Sequence, residues 1–310
     1  MTDDTAALET VRKDIDAIDT AIHDLIMRRT QLVEQVRRIK EDWAVKIQPS
    51  REAEIIYRLL ARHNGPFPKR ELVAIWRLLI TATLSFEGPF SVAVYVAGED
   101  AAFWDLARDH FGPYTPVARH GTVRGVIEAV RRQEAAVGVL PLPTQDDPDP
   151  WWRHLISSHV DAPRIIARLP FAGPGNSRGG SVEALVICPV VVVPTGRDRV
   201  LVAGETYAGL TMSQFTAALK QAGLTPGFTA SWQEIEPPHP LLLAAELDGF
   251  VSADDDRLKQ VESRLGKSLN RLLWLGGYAT PLSTEELGAG WSPPAAATPR
   301  PPRSEGTQAP

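Results

Sequence analysis

Residues 8–40 read LETVRKDIDAIDTAIHDLIMRRTQLVEQVRRIK, and the spacing of their apolar members decides the N-terminal fold. Leu8, Val11, Ile15, Ile18, Ile22, Leu25, Leu32, Val36 and Ile39 recur every three or four residues with no Gly or Pro between them, which predicts one long amphipathic helix. At 1.5 Å per residue, about 35 residues span roughly 50 Å, more than the thickness of a small domain. A second chain is therefore expected to cover the far end, and dimerisation is the economical inference.

Working outward, Pro49-Ser50 opens a second helix carrying Ile55, Ile56, Leu59 and Leu60, which stops at His63-Asn-Gly-Pro-Phe-Pro68. A third is predicted from about Lys69 to Glu87, with Leu72, Trp76, Leu79, Ile80 and Thr83 inward and Gly88-Pro89 as its stop. Residues 1–88 thus read as an all-α unit.

Polar groups interrupt these apolar stripes. Arg12, Arg29, Lys40, Arg51, Glu52, Thr83 and Glu87 lie on the three helices, several at positions that the hydrophobic period would give to the core. Arg29 takes its place in the heptad run Leu8, Ile15, Ile22, Arg29, Val36, where an unpaired buried charge would cost several kcal/mol, so a polar ligand is expected to offset it. Arg29 and Lys40 are 11 residues apart, about 20° from eclipsed and roughly 16 Å along the axis, and can converge on one small dianion. Arg12 lies 17 residues before Arg29, roughly 25 Å away, and can reach such a site only in an antiparallel partner. Arg28, Arg37 and Arg38 read as a solvated face, and Asp16 and Asp19 as surface or intersubunit charges.

Composition bounds the function class. Hydrophobic residues make up 44% and charged residues 23%, with a net charge of -5. That is an ordinary globular balance, not a nucleic-acid surface. Residues 1–88 hold 14 Lys+Arg and 14 Asp+Glu, so the cations are a local focus in a neutral unit. The single cysteine, Cys188, sits in the apolar run Ala184–Val193, which excludes a disulfide framework and a cysteine-pair metal site. His110, His120, His154 and His159 lack metal-ligand spacing, and Trp151-Trp152 reads as loop packing. Met1-Thr-Asp-Asp-Thr5 has no apolar core of a signal, and no apolar run approaches the roughly 20 residues of a membrane span. A cytoplasmic setting without membrane partners is expected.

After Pro89 the texture changes. Ser91–Val96, Ala101–Phe111, Val123–Arg132 and Val137–Leu140 alternate strand-like and helical runs, which indicates an α/β layer over residues 90–197. Phe171–Gly180 reads as a loop and a weak point between units. From residue 198 to 283 the order strand, helix, strand, strand, helix, strand is the α+β ferredoxin-like pattern. Residues 284–310, with Pro299-Arg-Pro-Pro-Arg303, read as a disordered tail. The chain is thus expected to be multidomain.

The ordered set Val11-Arg12-Lys-Asp-Ile-Asp-Ala-Ile-Asp19, Arg28-Arg29, Ile39-Lys40, Pro49-Ser-Arg-Glu-Ala-Glu54 and Thr83-Leu-Ser-Phe-Glu87 resembles the all-helical (AroQ-class) chorismate mutases across residues 5–88. The resemblance implies rearrangement of chorismate to prephenate by a homodimer that uses no cofactor or metal. It implies that Arg29 and Arg12, the latter supplied in trans, hold the two carboxylates. Lys40 and Glu87 would hydrogen-bond the breaking ether oxygen, Arg51 and Glu52 would order the substrate's carboxylate and hydroxyl side, and Thr83 would assist a carboxylate. Gln48 stands where many members carry Asp. Glu87 would need a proton to donate, so activity is expected to fall as pH rises through its pKa.

Gly125–Pro143 resembles a prephenate dehydratase stretch, and residues 198–283, ending Leu273-Trp-Leu-Gly-Gly-Tyr278, look like an ACT regulatory domain. Yet Pro143-Thr-Gln145 stands where the dehydratase has Glu-Asn-Ser, no Thr-Arg-Phe motif occurs, and residues 90–197 are short for two lobes. The resemblance therefore implies a mutase with a truncated, degenerate dehydratase region. Its alternatives are residual dehydratase activity, or a non-catalytic aromatic-amino-acid sensing module in residues 91–283. Tyr207-Ala-Gly-Leu210 and Ala230-Ser-Trp-Gln233 stand at the positions of the phenylalanine-binding motifs, in altered form.

Overall fold

A computed structural model of the chain describes residues 2–41, 46–145, 147–157, 159, 161–175, 182–207, 209–234 and 239–288. Helix α1 (Thr2–Ile39) is the long N-terminal element, with Arg37 and Arg38 in its last turn, where cations complement the helix dipole. Helix α2 (Pro49–Ala61) begins with its proline in the first turn, and α3 (Lys69–Glu87) follows the proline-rich turn.

Helix α1 touches the rest of the chain chiefly through α3, and its less exposed residues there are Ile26, Arg29, Thr30 and Val33. Its apolar stripe is uncovered in the single chain: Leu8, Val11, Ile15, Ile18, Ile22 and Leu25 are each 50–63% exposed. Helix α3 buries Val73, Arg77, Ile80, Thr83 and Leu84, whereas Leu72, Trp76 and Leu79, expected inward, are only half-buried. The helix has two packed sides, one toward α1 and one toward the α/β region, and a single stripe does not describe it.

The remainder forms one sheet of nine strands. Strands β1 (Val92–Tyr95), β2 (Val117–His120), β3 (Val137–Pro141), β4 (Arg164–Leu169), β5 (Ala184–Cys188), β6 (Asp198–Thr206), β7 (Thr225–Gln233), β8 (Leu241–Asp248) and β9 (Arg271–Ala279) take the order β2-β1-β3-β5-β4-β9-β6-β8-β7. Strands β1, β2 and β3 are parallel, and β5 runs antiparallel to both β3 and β4. Helices α4 (Ala102–Phe111) and α5 (Val123–Arg131) make the crossovers, α5 being capped by Thr122, which accepts from the Gly125 amide at 3.0 Å. Gly138 lets α5 sit close on β3, because a Cβ there would meet Val126 Cγ1 at 2.7 Å.

Helices α6 (Met212–Gln221) and α7 (Asp256–Leu265) join β6, β7, β8 and β9 in the strand order β9-β6-β8-β7 that the ferredoxin-like pattern anticipates. Alternation along the strands divides the core between two faces. Val92, Val94, Val200 and Val202 pack with α4, α6 and α7, together with Leu84 of α3. Ala93, Leu201 and Ala203 pack with α5 and with Trp151, Trp152 and Leu155 of a short 3-10 turn. Trp151 and Trp152 are thus core side chains, and Trp151 donates to the Pro141 carbonyl at 3.0 Å.

The boundary expected near residue 171 is not a gap in the sheet. Strands β4 and β9 run parallel with Ile165 opposite Gly276, so both α/β parts share one sheet. Gly276 has φ +127°, and a Cβ there would lie 2.3 Å from backbone atoms of Ile165. Only glycine fits such an approach. A further cluster, Ala53, Ile56, Val73, Phe171, Leu282 and Leu287, packs α2 and α3 against the segments after β4 and β9. Residues 284–287, expected in the tail, form α8 (Thr284–Leu287), held by a reciprocal cap between Ser283 and Glu286. The tail beyond 288, residues 176–180 of the loop, residue 208 of the Tyr207–Leu210 stretch and Asp146 lie outside the described residues.

Candidate active site

Two contacts between α1 and α3 organise the N-terminal polar residues. Arg29 Nη1 donates to Thr83 Oγ1 at 3.2 Å and to the Leu79 carbonyl at 3.5 Å. Lys40, just past the end of α1, donates from Nζ to Glu87 Oε2 at 3.3 Å and to the Lys46 carbonyl at 3.2 Å. The Lys40 and Glu87 side chains are only 13% and 11% exposed, so this ion pair is little screened by solvent. Thr83 and Glu87, which these two cations contact, are one turn apart on α3, about 6 Å along its axis, so both cations meet the same row.

Arg29 differs from the other cations of the cluster. Burial lowers its pKa, and among the described residues no carboxylate lies within ion-pair distance of it. Its bonds are to a neutral hydroxyl and a carbonyl, so the guanidinium keeps an uncompensated charge in a partly desolvated place.

Glu52, at the start of α2, faces α3, where its Oε2 accepts from Arg77 Nη1 at 2.9 Å. Burial raises the Glu52 pKa, with Glu87 adding like charge, while Arg77 and a backbone hydrogen bond from Gln48 oppose the shift. Gln48 itself holds the N-cap position of α2 without a side-chain cap bond. Arg51 is exposed and pairs with Glu54 at 3.3 Å. Arg12 is exposed, pairs with Glu9 at 2.8 Å, and lies roughly 25 Å along α1 from Arg29. The single chain therefore brings together Arg29, Thr83, Lys40 and Glu87, with Glu52 nearby, and does not bring Arg12 or Arg51 to them.

Two residues here escaped the reading of the sequence. Lys46 closes the turn after α1 through bonds from its Nζ to the Lys40 and Glu41 carbonyls. Its signal was absent, because nothing in its spacing separates it from an exposed lysine. Arg77 had a signal: it falls four residues after Val73 and three before Ile80 on the buried row of α3. A buried arginine needs a carboxylate, and Glu52 supplies it.

Residues 11–88 match the family described as chorismate mutase type II, which makes the helical unit a chorismate mutase type II domain. The chain is 34% identical over 143 residues to a bifunctional chorismate mutase/prephenate dehydratase of Aquifex aeolicus (strain VF5), a match covering 44% of this chain and 38% of that protein. It is 28% identical over 141 residues to a protein of the same description from Stutzerimonas stutzeri, covering 44% and 38%. The chain thus matches well under half of the length of these relatives. The prephenate dehydratase from Streptococcus mutans is similar at a TM-score of 0.45 and 10% identity, over 62% of this chain and 98% of that one.

Proposed function

We propose that the chain is a homodimeric chorismate mutase, converting chorismate to prephenate by pericyclic rearrangement. The observation that carries this reading is Arg29, a partly desolvated guanidinium with no carboxylate partner among the described residues, on the row that also holds Lys40 and Glu87. The family match over residues 11–88 supplies the substrate class.

The rearrangement breaks an ether C–O bond as a C–C bond forms, within one molecule, and needs no nucleophile. It needs a folded substrate conformer and donors aimed at the ether oxygen, where negative charge grows. In this reading Arg29 takes one substrate carboxylate, with Thr83 beside it, and the partner subunit's Arg12 takes the other. Lys40 Nζ donates to the ether oxygen, and Glu87 joins it when protonated. Gln48, Arg51 and Glu52 order the hydroxyl side of the ring.

A second chain enters this reading for two reasons. Arg12 is too far along α1 to serve its own site, and the uncovered stripe from Leu8 to Leu25 offers the partner an apolar seat. Residues 198–283 are read as an ACT-type module, a reading supported by the β9-β6-β8-β7 order. The test is chorismate consumption by the intact chain and by Arg29→Ala and Lys40→Ala. Each loss is expected to be on the order of a hundredfold or more. Undiminished turnover in both variants would remove the proposal.

A further inference from the structure

We propose that the hollow between α3, α4 and the segment following β4 binds a small carboxylate carrying one apolar group, and that its occupant competes with Glu52 for Arg77. The hollow has a volume of ≈ 240 Å³. A cavity of about 150 Å³ already accepts a benzene ring, so this one has room for a ring with a short acid arm.

Its chemistry is two-sided. Val73, Leu106, Pro170 and Phe171 give apolar walls, while Arg70 and Arg77 bring guanidinium groups to the same space. Arg77 is buried, its Nη1 is taken by Glu52, and its guanidinium stacks 4.7 Å from the centroid of the Phe171 ring. Its Nε, however, is shut off from solvent and has no hydrogen-bond partner among the described residues. A buried N–H without an acceptor is a cost, and a carboxylate in the hollow removes it by drawing the guanidinium away from Glu52, its fork of donors suiting a two-oxygen acceptor. Asp109 also lines the hollow, and Arg70, which donates to the Pro174 carbonyl, is the second cation on its wall. His110, on the same wall, is held neutral by burial and by Arg77, so it adds no competing charge near neutral pH.

The hollow does not include the Arg29, Thr83, Lys40 and Glu87 row, and Arg77 connects the two through its pair with Glu52. A ligand that takes part of the Arg77 fork weakens the anchor of Glu52. This coupling, unlike the binding itself, rests on the mutase reading.

Isothermal titration of the full chain with 3-phenylpropanoate tests the site, with 3-phenylpropanamide as the neutral control. The acid is expected to bind at least tenfold more tightly than the amide. Ala74→Phe, at an exposed position lining the hollow, is expected to weaken the acid at least tenfold without disturbing any charge. Arg77→Lys, which keeps a cation for Glu52 and removes Nε, should weaken it similarly. Absence of binding at millimolar acid, equal binding of the amide, or unchanged binding by Ala74→Phe overturns the site. Chorismate turnover is then measured with the hollow saturated, where a raised KM is expected. Unchanged kinetics under demonstrated binding overturns the coupling, whereas a chain that binds the acid but never turns over chorismate refutes the mutase reading instead.

Discussion

Glu52 on α2 and Arg77 on α3 form an ion pair of 2.9 Å in which the side chains are 12% and 9% exposed, at the seam between the helical unit and the sheet. Taking two charges out of water is costly, and their attraction repays this only while both are present. The pair therefore fixes how α2 and α3 meet, more than it adds net stability.

Removing one member should accordingly hurt more than removing both. Arg77→Met is expected to cost about 3–5 kcal/mol by leaving Glu52 buried alone. The double variant Glu52→Leu with Arg77→Met should recover most of that loss. Urea denaturation followed by far-UV circular dichroism measures both, and a single variant as stable as the parent would show that the pair does not act this way.

The proposed sharing of the site between subunits predicts complementation. Arg12→Ala and Lys40→Ala homodimers should each be nearly inactive. A mixture refolded together should regain about a quarter of parental turnover, because half the dimers are mixed and each mixed dimer has one intact site. Ile22→Asp, placed on the exposed stripe of α1, should shift sedimentation toward the monomer. A mixture that stays inactive would mean that the partner subunit's Arg12 does not complete the site.

The pair of Arg197 with Glu286 gives a pH dependence. Arg197, with two bonds of 2.5 and 3.0 Å, holds Glu286 down to about 2, below its ordinary value of about 4.3. A depressed carboxyl contributes stability that is present above the unfolded value and lost as pH falls through the folded one. Parent and Arg197→Gln should thus differ in Tm at pH 6, and the difference should shrink between about pH 4.3 and 2. Both side chains are more than a third exposed, so the effect is small and weakens with salt. A difference that persists unchanged at pH 2 would assign it to lost packing of Arg197 on Tyr57.

Gly276→Ala is expected to be severely destabilising. A Cβ there meets the Ile165 backbone at 2.3 Å, and φ of +127° is strained for any other residue. A loss above about 3 kcal/mol is expected, since neither strand can retreat without breaking the sheet. Chemical denaturation and limited proteolysis between β4 and β6 measure it, and parental behaviour in both would show that the two strands separate freely.

The sequence made α1 and the ferredoxin-like order legible because both rest on local periodicity and on punctuation by Gly and Pro. It did not disclose β2 or β4. Val117–His120 is an edge strand with its middle residues exposed and hence no alternation to detect, and Arg164–Leu169 carries two arginines at half-buried positions. The junction of β4 with β9 depends on residues 111 apart, and one glycine is its sole local trace. In the site, Arg29, Thr83, Lys40 and Glu87 could be placed by helical phase. Helical phase also puts Arg77 on a row with Val73 and Ile80, but its partner and burial were not legible, because that row is covered by a region whose position no local pattern specifies.

The continuous sheet also constrains how any signal could cross the molecule. Separate modules joined by a linker can swing as bodies, whereas β4 and β9 are neighbours in one hydrogen-bonded ladder. A change arising beside α6 or α7 would have to travel as twist, passed from strand to strand toward β4. It would arrive at Phe171, just past the end of β4 and under Arg77, as a shift in ring position and not as a hinge opening.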